Sequence, residues 1–175
     1  MDPGPGAGAP ASALCLGCGL CCNGVLYTHA LLESHEVEPA IRAGLNVIQD
    51  EGGRRFTQPC ACNDAGPCAI YADRPAACAS YQCALLKGYL SGEASLEQCA
   101  AKVSRVKQLV ASITARLPEA EPTAALWPRL TRHLEADADQ PGPLSRRNGE
   151  LLMDVAALTL LCKRDFDPKL GNGRE

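Results

Sequence analysis

The placement of cysteine constrains this chain more than any other feature of its sequence. Eleven of the 175 residues are cysteine, and nine of those lie between Cys15 and Cys83. Four stand in one eight-residue run, Cys15-Leu-Gly-Cys18-Gly-Leu-Cys21-Cys22. Two residues between cysteines allow two thiolates on a tight turn to face one centre, and the glycines relieve backbone strain. The run therefore predicts half of a metal or iron–sulfur site.

The second half is expected in a later group of cysteines: Cys60, Cys62, Cys68, Cys78 and Cys83. Eight of these nine thiolates are enough for two tetrahedral four-sulfur sites, or for one iron–sulfur cluster and one zinc site. The side chains of Cys21 and Cys22 diverge if the backbone is extended. They would then serve two neighbouring centres more easily than one, so we expect two centres side by side.

Sulfur ligation alone suits either zinc or an iron–sulfur cluster. The spacing from Cys15 to Cys21 is similar to the opening of a bacterial ferredoxin motif, whose fourth cysteine would stand at position 25. That position is Val25, with no proline after it. Structural zinc held by four thiolates is the commoner use of paired cysteines, which slightly favours zinc. Zinc or iron, the latter including an iron–sulfur cluster, is therefore the predicted cofactor.

Charge and hydropathy argue against several classes of partner. The net charge is −3 and the basic residues form no patch, so no nucleic acid is expected. No segment approaches the roughly 20 apolar residues of a membrane span, and the first residues do not resemble a secretory signal. We therefore predict a cytoplasmic protein that does not bind membranes. In a reducing cytoplasm, closely spaced cysteines bind metal more often than they form disulfides.

The sequence predicts a mainly α fold in three parts. Residues 1–12, rich in proline, glycine and alanine, are expected to be disordered. Residues 13–90 are expected to form a small, irregular, metal-stabilised domain that holds the cysteine cluster. Residues 91–175 are expected to form an antiparallel helical tail packed on or beside that domain.

Apolar periodicity supports the helical tail. One stripe, spaced alternately by three and four residues, is Leu96, Cys99, Val103, Val106, Val110, Ile113 and Leu117. Pro118 would end this helix. A second helix is predicted from Ala124 to about Ala136, and a third carries the stripe Leu151, Val155, Leu158 and Cys162. Cys99 and Cys162 are therefore interpreted as core residues rather than ligands.

The head shows weaker patterns. A short or broken helix is predicted between His29 and Leu45, and residues 54–57 could form a short strand. Asp73 is expected to cap a helix that carries Cys78 near its start. Cys62 is interpreted as an exposed spare thiol, with a ninth ligand as the alternative. Arg54, Arg55 and Arg74 are candidates for a cation beside the thiolates.

A family resemblance rests on these same residues. The pattern begins with C-x2-C-x2-C-C, which is the run from Cys15 to Cys22, and continues with a lone cysteine, found here in Pro59-Cys60. It ends with C-x-I-Y-x-x-R-P-x-x-C and an aromatic residue before a last cysteine, which is the segment from Cys68 to Cys83. This pattern resembles the zinc- or iron-chelating CxxCxxCC family, the YkgJ-type cysteine-cluster proteins. The match covers about residues 15 to 87. It departs from the family at Ala79, where the family usually has arginine, and in having one extra cysteine.

The resemblance implies metal chelation through eight cysteines. With Cys60 rather than Cys62 taken as the lone cysteine, the predicted ligands are Cys15, Cys18, Cys21, Cys22, Cys60, Cys68, Cys78 and Cys83. The metal ion is then the predicted partner, and no protein partner is assigned.

No catalytic motif accompanies the cysteines. The first functional hypothesis is a metal-binding protein that chelates zinc or iron. One alternative is an iron–sulfur oxidoreductase or a cluster-dependent enzyme like the flagellin lysine methylases, which carry a similar motif. The other is a zinc-stabilised adaptor for protein interactions. Whether the chain is an enzyme stays open on the sequence alone.

Overall fold

The computed structural model describes residues 8–63, 67–118, 125–138 and 144–167. These ranges are mainly helical, as predicted, and also contain a small antiparallel sheet. In chain order the elements are α1 (Gly8–Cys18), β1 (His29–Leu31), α2 (Val37–Arg42), β2 (Val47–Asp50), β3 (Gly53–Thr57), α3 (Ala76–Ser80), α4 (Ala84–Leu90), α5 (Leu96–Arg116), α6 (Leu126–Ala138) and α7 (Leu144–Asp165). Among these helices, none is both long enough and apolar enough to cross a membrane.

The N-terminal segment is more regular than the sequence predicted. Residues 1–7 lie outside the described residues, but residues 8–12, also expected to be disordered, belong to α1. Alanine is the best helix former, and Pro10 lies in the first turn, where its missing N–H breaks no helical bond. Leu14 is buried against the core. The first half of the cysteine run, Cys15 to Cys18, is therefore helical, and the tight turn follows it.

The sheet has the strand order β1-β3-β2, with both pairs antiparallel. The strand predicted at residues 54–57 is confirmed as β3, which Gly53 opens with a φ of +97°. The segment from His29 to Leu45 is expected from its sequence to contain a short or broken helix, but it begins with β1. Its helical part is α2, from Val37 to Arg42. Pairing with β3, more than twenty residues away, overrides the weak local pattern.

The helical tail is built as predicted in its main parts. A capping box between Ser95 and Gln98 begins α5, and the helix ends at Arg116, just before Pro118. α5 runs antiparallel to α7, since Lys102 pairs with Asp165 at 3.0 Å and Arg116 pairs with Asp154 at 3.1 Å. The predicted antiparallel arrangement is confirmed for these two helices.

Two separate hydrophobic clusters hold the described residues together. The larger, here called the large core, has eighteen buried residues drawn from α1, the turn after it and α4 to α7. The smaller, here called the small core, has six: Leu32, Ala40, Leu45, Phe56, Cys60 and Cys62. The predicted head and tail thus share the large core, and Trp127 Nε1 also donates across them to the Val25 carbonyl at 2.9 Å.

Candidate metal centre

The predicted ligands surround one cavity. All eight line a space of about 800 Å³, and none forms a disulfide. They come from the end of α1 and the following turn, from the loops after β3, from α3 and from the start of α4. The eight are Cys15, Cys18, Cys21, Cys22, Cys60, Cys68, Cys78 and Cys83.

Packing divides the eight thiols into two groups of four. One group contacts the large core and is called here the helix-side group: Cys15, Cys18, Cys21 and Cys83. The other belongs to or contacts the small core and is called the strand-side group: Cys22, Cys60, Cys68 and Cys78. The adjacent residues Cys21 and Cys22 fall in different groups.

The main electrostatic neighbours of Cys22, Cys78 and Cys18 follow the same division. Burial, followed by the thiols of Cys60, Cys78 and Cys68, raises the pKa of Cys22 to about 12. Burial, followed by Cys60 and Cys68, raises the pKa of Cys78 to about 11. Apart from burial, the thiols that most raise the pKa of Cys22 and Cys78 are therefore members of the strand-side group.

The helix-side thiols behave in the same way. Burial, with contributions from Cys83 and Cys15, raises the pKa of Cys18 to about 11. Burial also raises the pKa of Cys21 well above its ordinary value, with Cys18 and Cys83 as the next contributors. Cys22 comes next, ahead of Cys15, as expected for the adjacent residue at the point where the two groups adjoin.

Local backbone geometry creates the helix-side group. α1 ends at Cys18 because Gly19 takes a left-handed φ of +68°, a conformation that favours glycine. The Gly19 carbonyl then accepts from the N–H of Cys22 at 3.0 Å, which closes the turn that carries Cys21. Cys83 stands at the start of α4, where its sulfur accepts from the N–H of Leu86 at 3.4 Å. A helix start thus supplies the donor that a thiolate requires.

The strand-side group is assembled by loops. The N–H of Cys60 donates to the Cys22 carbonyl at 2.7 Å, which joins the two cysteine segments of the sequence. Cys78 lies in the middle of α3, which begins at Ala76 rather than at a cap on Asp73. Glu36 replaces the predicted cap, since its Oε1 accepts from the N–H of Ala76 at 2.6 Å. A contact across forty residues therefore positions this predicted ligand.

Arg74 is the cation that the two groups share. Its guanidinium lies 3.9 Å from the centre of the Tyr71 ring and donates to the Tyr71 carbonyl. Burial and neighbouring thiols raise the pKa of Cys15 and Cys78, one from each group, and Arg74 opposes the rise in both. Of the other candidates, Arg55 is paired with Asp50 at 2.6 Å and Arg54 is exposed.

A polar network that the sequence did not indicate borders the helix-side group. The hydroxyls of Tyr27 and Tyr81 are hydrogen-bonded to each other, and Tyr27 also bonds to Oδ2 of the buried Asp167. Each hydroxyl has one proton, so Tyr27 donates to Asp167 and accepts from Tyr81. Burial raises the pKa of Tyr81 to about 12, and Cys21 is among the lesser causes. The network spans 140 residues of sequence, which explains why no local pattern pointed to it.

The three remaining cysteines are all buried. Cys99 and Cys162 lie fully buried in the large core, as predicted. Cys62 is 8% exposed and donates to the Ala43 carbonyl at 3.3 Å, so its interpretation as an exposed thiol is wrong. It lies behind Cys60 in the small core and does not line the cavity.

The donor chemistry of the two groups fits a soft or borderline metal, since each has four sulfurs. Within the described residues, however, no three His, Cys, Asp or Glu side chains stand close enough together to hold an ion as they are. The groups therefore match four-sulfur sites in number and kind of donor, and metal binding would require the thiols to move together.

Comparisons with known proteins add no assignment. The chain matches no family model, no curated protein and no solved structure. The resemblance to the CxxCxxCC family thus rests on the motif residues alone.

Proposed function

We propose that this chain is a cytoplasmic metal-binding protein in which the helix-side and strand-side groups each hold one zinc or iron centre. One observation carries the proposal: eight thiols line one cavity in two groups of four, and the division runs between Cys21 and Cys22. The same residues carry the resemblance to the CxxCxxCC family, to which we propose that the chain belongs.

Hydrogen-bond donors around the sulfurs support this role. Backbone N–H groups of Leu86 and Leu20 donate to the sulfurs of Cys83 and Cys18 and favour their thiolates. In the strand-side group, Cys60 receives such a bond from the backbone of Cys62. Donors of this kind surround the thiolate ligands of metal sites.

Charge also supports it. Four thiolates around one zinc ion leave a formal charge of −2 in each group, and Arg74 lies beside members of both. Because the thiol pKa values are raised, the metal must displace protons when it binds. Bound metal would supply closed cross-links between segments that are distant in sequence, with Arg74 offsetting part of their negative charge.

The test is the metal content of the full chain, purified and kept without oxygen. Elemental analysis is expected to give two metal ions per chain if both centres are zinc, with a colourless solution. Exhaustive chelation should then lower the melting temperature. The Cys18→Ser variant should lose metal, whereas the matched Cys62→Ser variant should retain two ions, because Cys62 belongs to neither group.

Two results would overturn this proposal. One is a chain that binds less than one metal ion and melts at the same temperature after chelation. The other is equal metal loss in Cys18→Ser and Cys62→Ser, because that would make Cys62 as much a ligand as Cys18 and would break the division into two groups of four.

The size of the cavity favours a second candidate, an iron–sulfur enzyme, since about 800 Å³ leaves room for a substrate beside the thiols. This candidate requires a brown protein that contains iron and acid-labile sulfide. A colourless, zinc-loaded preparation made without oxygen would exclude it.

A further inference from the structure

Cys83 reaches the helix-side group from a different part of the chain than its three partners. It ends the short segment 81–83, which joins α3 to α4 and is extended at both ends, with ψ angles of 129° at Tyr81 and 165° at Cys83. A short extended segment forms no helical hydrogen bonds within itself, so contacts from elsewhere must fix its position. Cys83 is nevertheless among the neighbours that raise the pKa of all three other helix-side thiols. Anchors outside the segment therefore hold it beside them.

One anchor follows Cys83 in the sequence. The N–H of Ala84 donates at 2.8 Å to the carbonyl of Phe166, the residue just past the end of α7. This end of the helix is itself fixed, because the N–H groups of Phe166 and Asp167 both donate to the Cys162 carbonyl, at 3.0 and 2.9 Å. Phe166 is also 1% exposed in the large core. The start of α4 is therefore attached to a well-packed support.

The other anchor precedes Cys83. Through the hydrogen bonds described above, the hydroxyl of Tyr81 is joined to Tyr27 and that of Tyr27 to Asp167, which is 4% exposed. The two tyrosine rings also meet edge to face, with 5.2 Å between their centres and 86° between their planes. Because Asp167 directly follows Phe166, both anchors lead to the same end of α7. Cys83 thus lies between two attachments to one helix.

We propose that the end of α7 positions Cys83 for the helix-side centre, and that Tyr27 is the positioning residue of the side-chain anchor. Tyr27 holds this place because its hydroxyl takes part in both hydrogen bonds. A ligand that is already in position binds metal more tightly, since less freedom is lost on binding. This role rests on the proposed function, because it concerns one of the two centres. It gives the helical tail a part in metal affinity.

Tyr27→Phe keeps the ring and removes the hydroxyl, so both hydrogen bonds are lost together. The Cys22→Ser variant is expected to retain only the helix-side centre, and Cys21→Ser only the strand-side centre. Tyr27→Phe added to Cys22→Ser should weaken zinc binding about 10-fold, the scale on which outer-shell partners of ligands contribute. Added to Cys21→Ser, it should leave zinc binding unchanged. Competition with a zinc-binding dye measures both affinities.

Tyr89→Phe is the matched control. Tyr89 belongs to α4 and also packs against the large core, but it takes no part in the network, so this change should alter neither affinity. Unchanged helix-side affinity in Tyr27→Phe would overturn the proposal. An equal loss at both centres would also overturn it, because Tyr27 would then only stabilise the fold. If Tyr27→Phe does not fold, Tyr81→Phe, which removes only the outer hydrogen bond, is judged by the same criteria.

The zinc content of the wild type, measured first, separates this role from the proposed function. Two ions per chain with no effect of Tyr27→Phe would refute the anchor and leave both centres in place. A chain without zinc would refute the centres, and hydrogen exchange in the metal-free protein would then test the anchor. Amides of residues 84–86 should exchange about fivefold faster in Tyr27→Phe than in Tyr89→Phe, the ratio that one neutral hydrogen bond gives. Equal rates would refute the anchor.

Discussion

The helix-side and strand-side groups contain the same number of thiols, but different structures hold them. The helix-side group contacts the large core of eighteen buried residues, which α5 and α7 dominate. The strand-side group belongs to a small core of six, two of which are themselves cysteines. Leucine, isoleucine and valine side chains can hold the first group in place without metal. The second has few apolar residues to bury other than Leu32, Leu45 and Phe56.

If the two proposed centres bind metal, this difference predicts where the metal contributes to folding. Burial of apolar area is the main source of folding free energy, and a core of six residues supplies little. Metal-binding free energy becomes folding free energy where the site does not exist in the unfolded chain. We therefore expect the strand side to depend on metal and the helix side to persist without it.

Removal of metal should give the largest effect. After chelation, backbone amides of β3 and of the 3₁₀ turn Ala61–Asn63 are expected to exchange hydrogen nearly as fast as an unfolded peptide. Amides in α5 and α7 should keep most of their protection. Hydrogen exchange read by mass spectrometry distinguishes the regions, and uniform loss of protection in both would refute the contrast.

Truncation of one buried residue in each core sharpens the comparison. Leu158→Ala, at a residue with 0% exposure in α7, should lower the global free energy of unfolding by about 2–5 kcal/mol. Phe56→Ala should leave the urea unfolding of the helices within about 0.5 kcal/mol but abolish metal binding by the strand-side group. Circular dichroism and metal analysis on the same samples provide the two measurements. Comparable global losses in both variants would mean that the cores unfold as one.

Alkaline pH should destabilise the metal-free protein. The pKa is about 12 for Cys22 and about 11 for Cys60 and Cys78, against an ordinary value of 9.0. Between pH 9 and 11 the unfolded chain loses thiol protons that the folded chain keeps, so the free energy of unfolding falls as pH rises. This stability is fully present below pH 9. Urea titrations across this range should show the fall without metal and a much weaker one with metal, where the ligands are already thiolates.

A change at Arg74 should give the smallest structural effect and should weaken metal binding by both groups. Arg74→Leu is expected to weaken metal binding at both groups by about 10- to 100-fold, since outer-shell partners of ligands contribute on this scale. Arg74→Lys keeps the charge but not the planar contact with Tyr71, so its metal affinity should lie between those of the wild type and Arg74→Leu. Competition with a zinc-binding dye measures the affinities, with Arg54→Leu as the exposed control. A loss of metal affinity in only one group would show that Arg74 does not serve both groups.

The parts of the fold that follow local periodicity were predictable. The stripe from Leu96 to Leu117 predicted α5 almost to the residue, because one side of a long helix must meet a core. β1, by contrast, exists through its pairing with β3, and the start of α3 depends on Glu36 rather than on Asp73. Such contacts join distant segments and leave no local pattern.

The candidate site shows the same limit. Spacing and motif predicted eight thiol ligands, all of which line one cavity, and the divergence of Cys21 from Cys22 suggested two groups. The sequence pattern did not indicate the burial of Cys62, whose thiol donates to the Ala43 carbonyl, or the network from Tyr27 to Asp167.

The most direct test of two adjacent centres uses the neighbouring residues that the division separates. Native mass spectrometry should find two zinc ions in the zinc-loaded wild type and one in each of Cys21→Ser and Cys22→Ser. Exchange protection of β3 should survive in Cys21→Ser and fail in Cys22→Ser, because Cys22 belongs to the strand-side group. Loss of both ions in each variant, or of none, would contradict two four-cysteine centres that meet between Cys21 and Cys22.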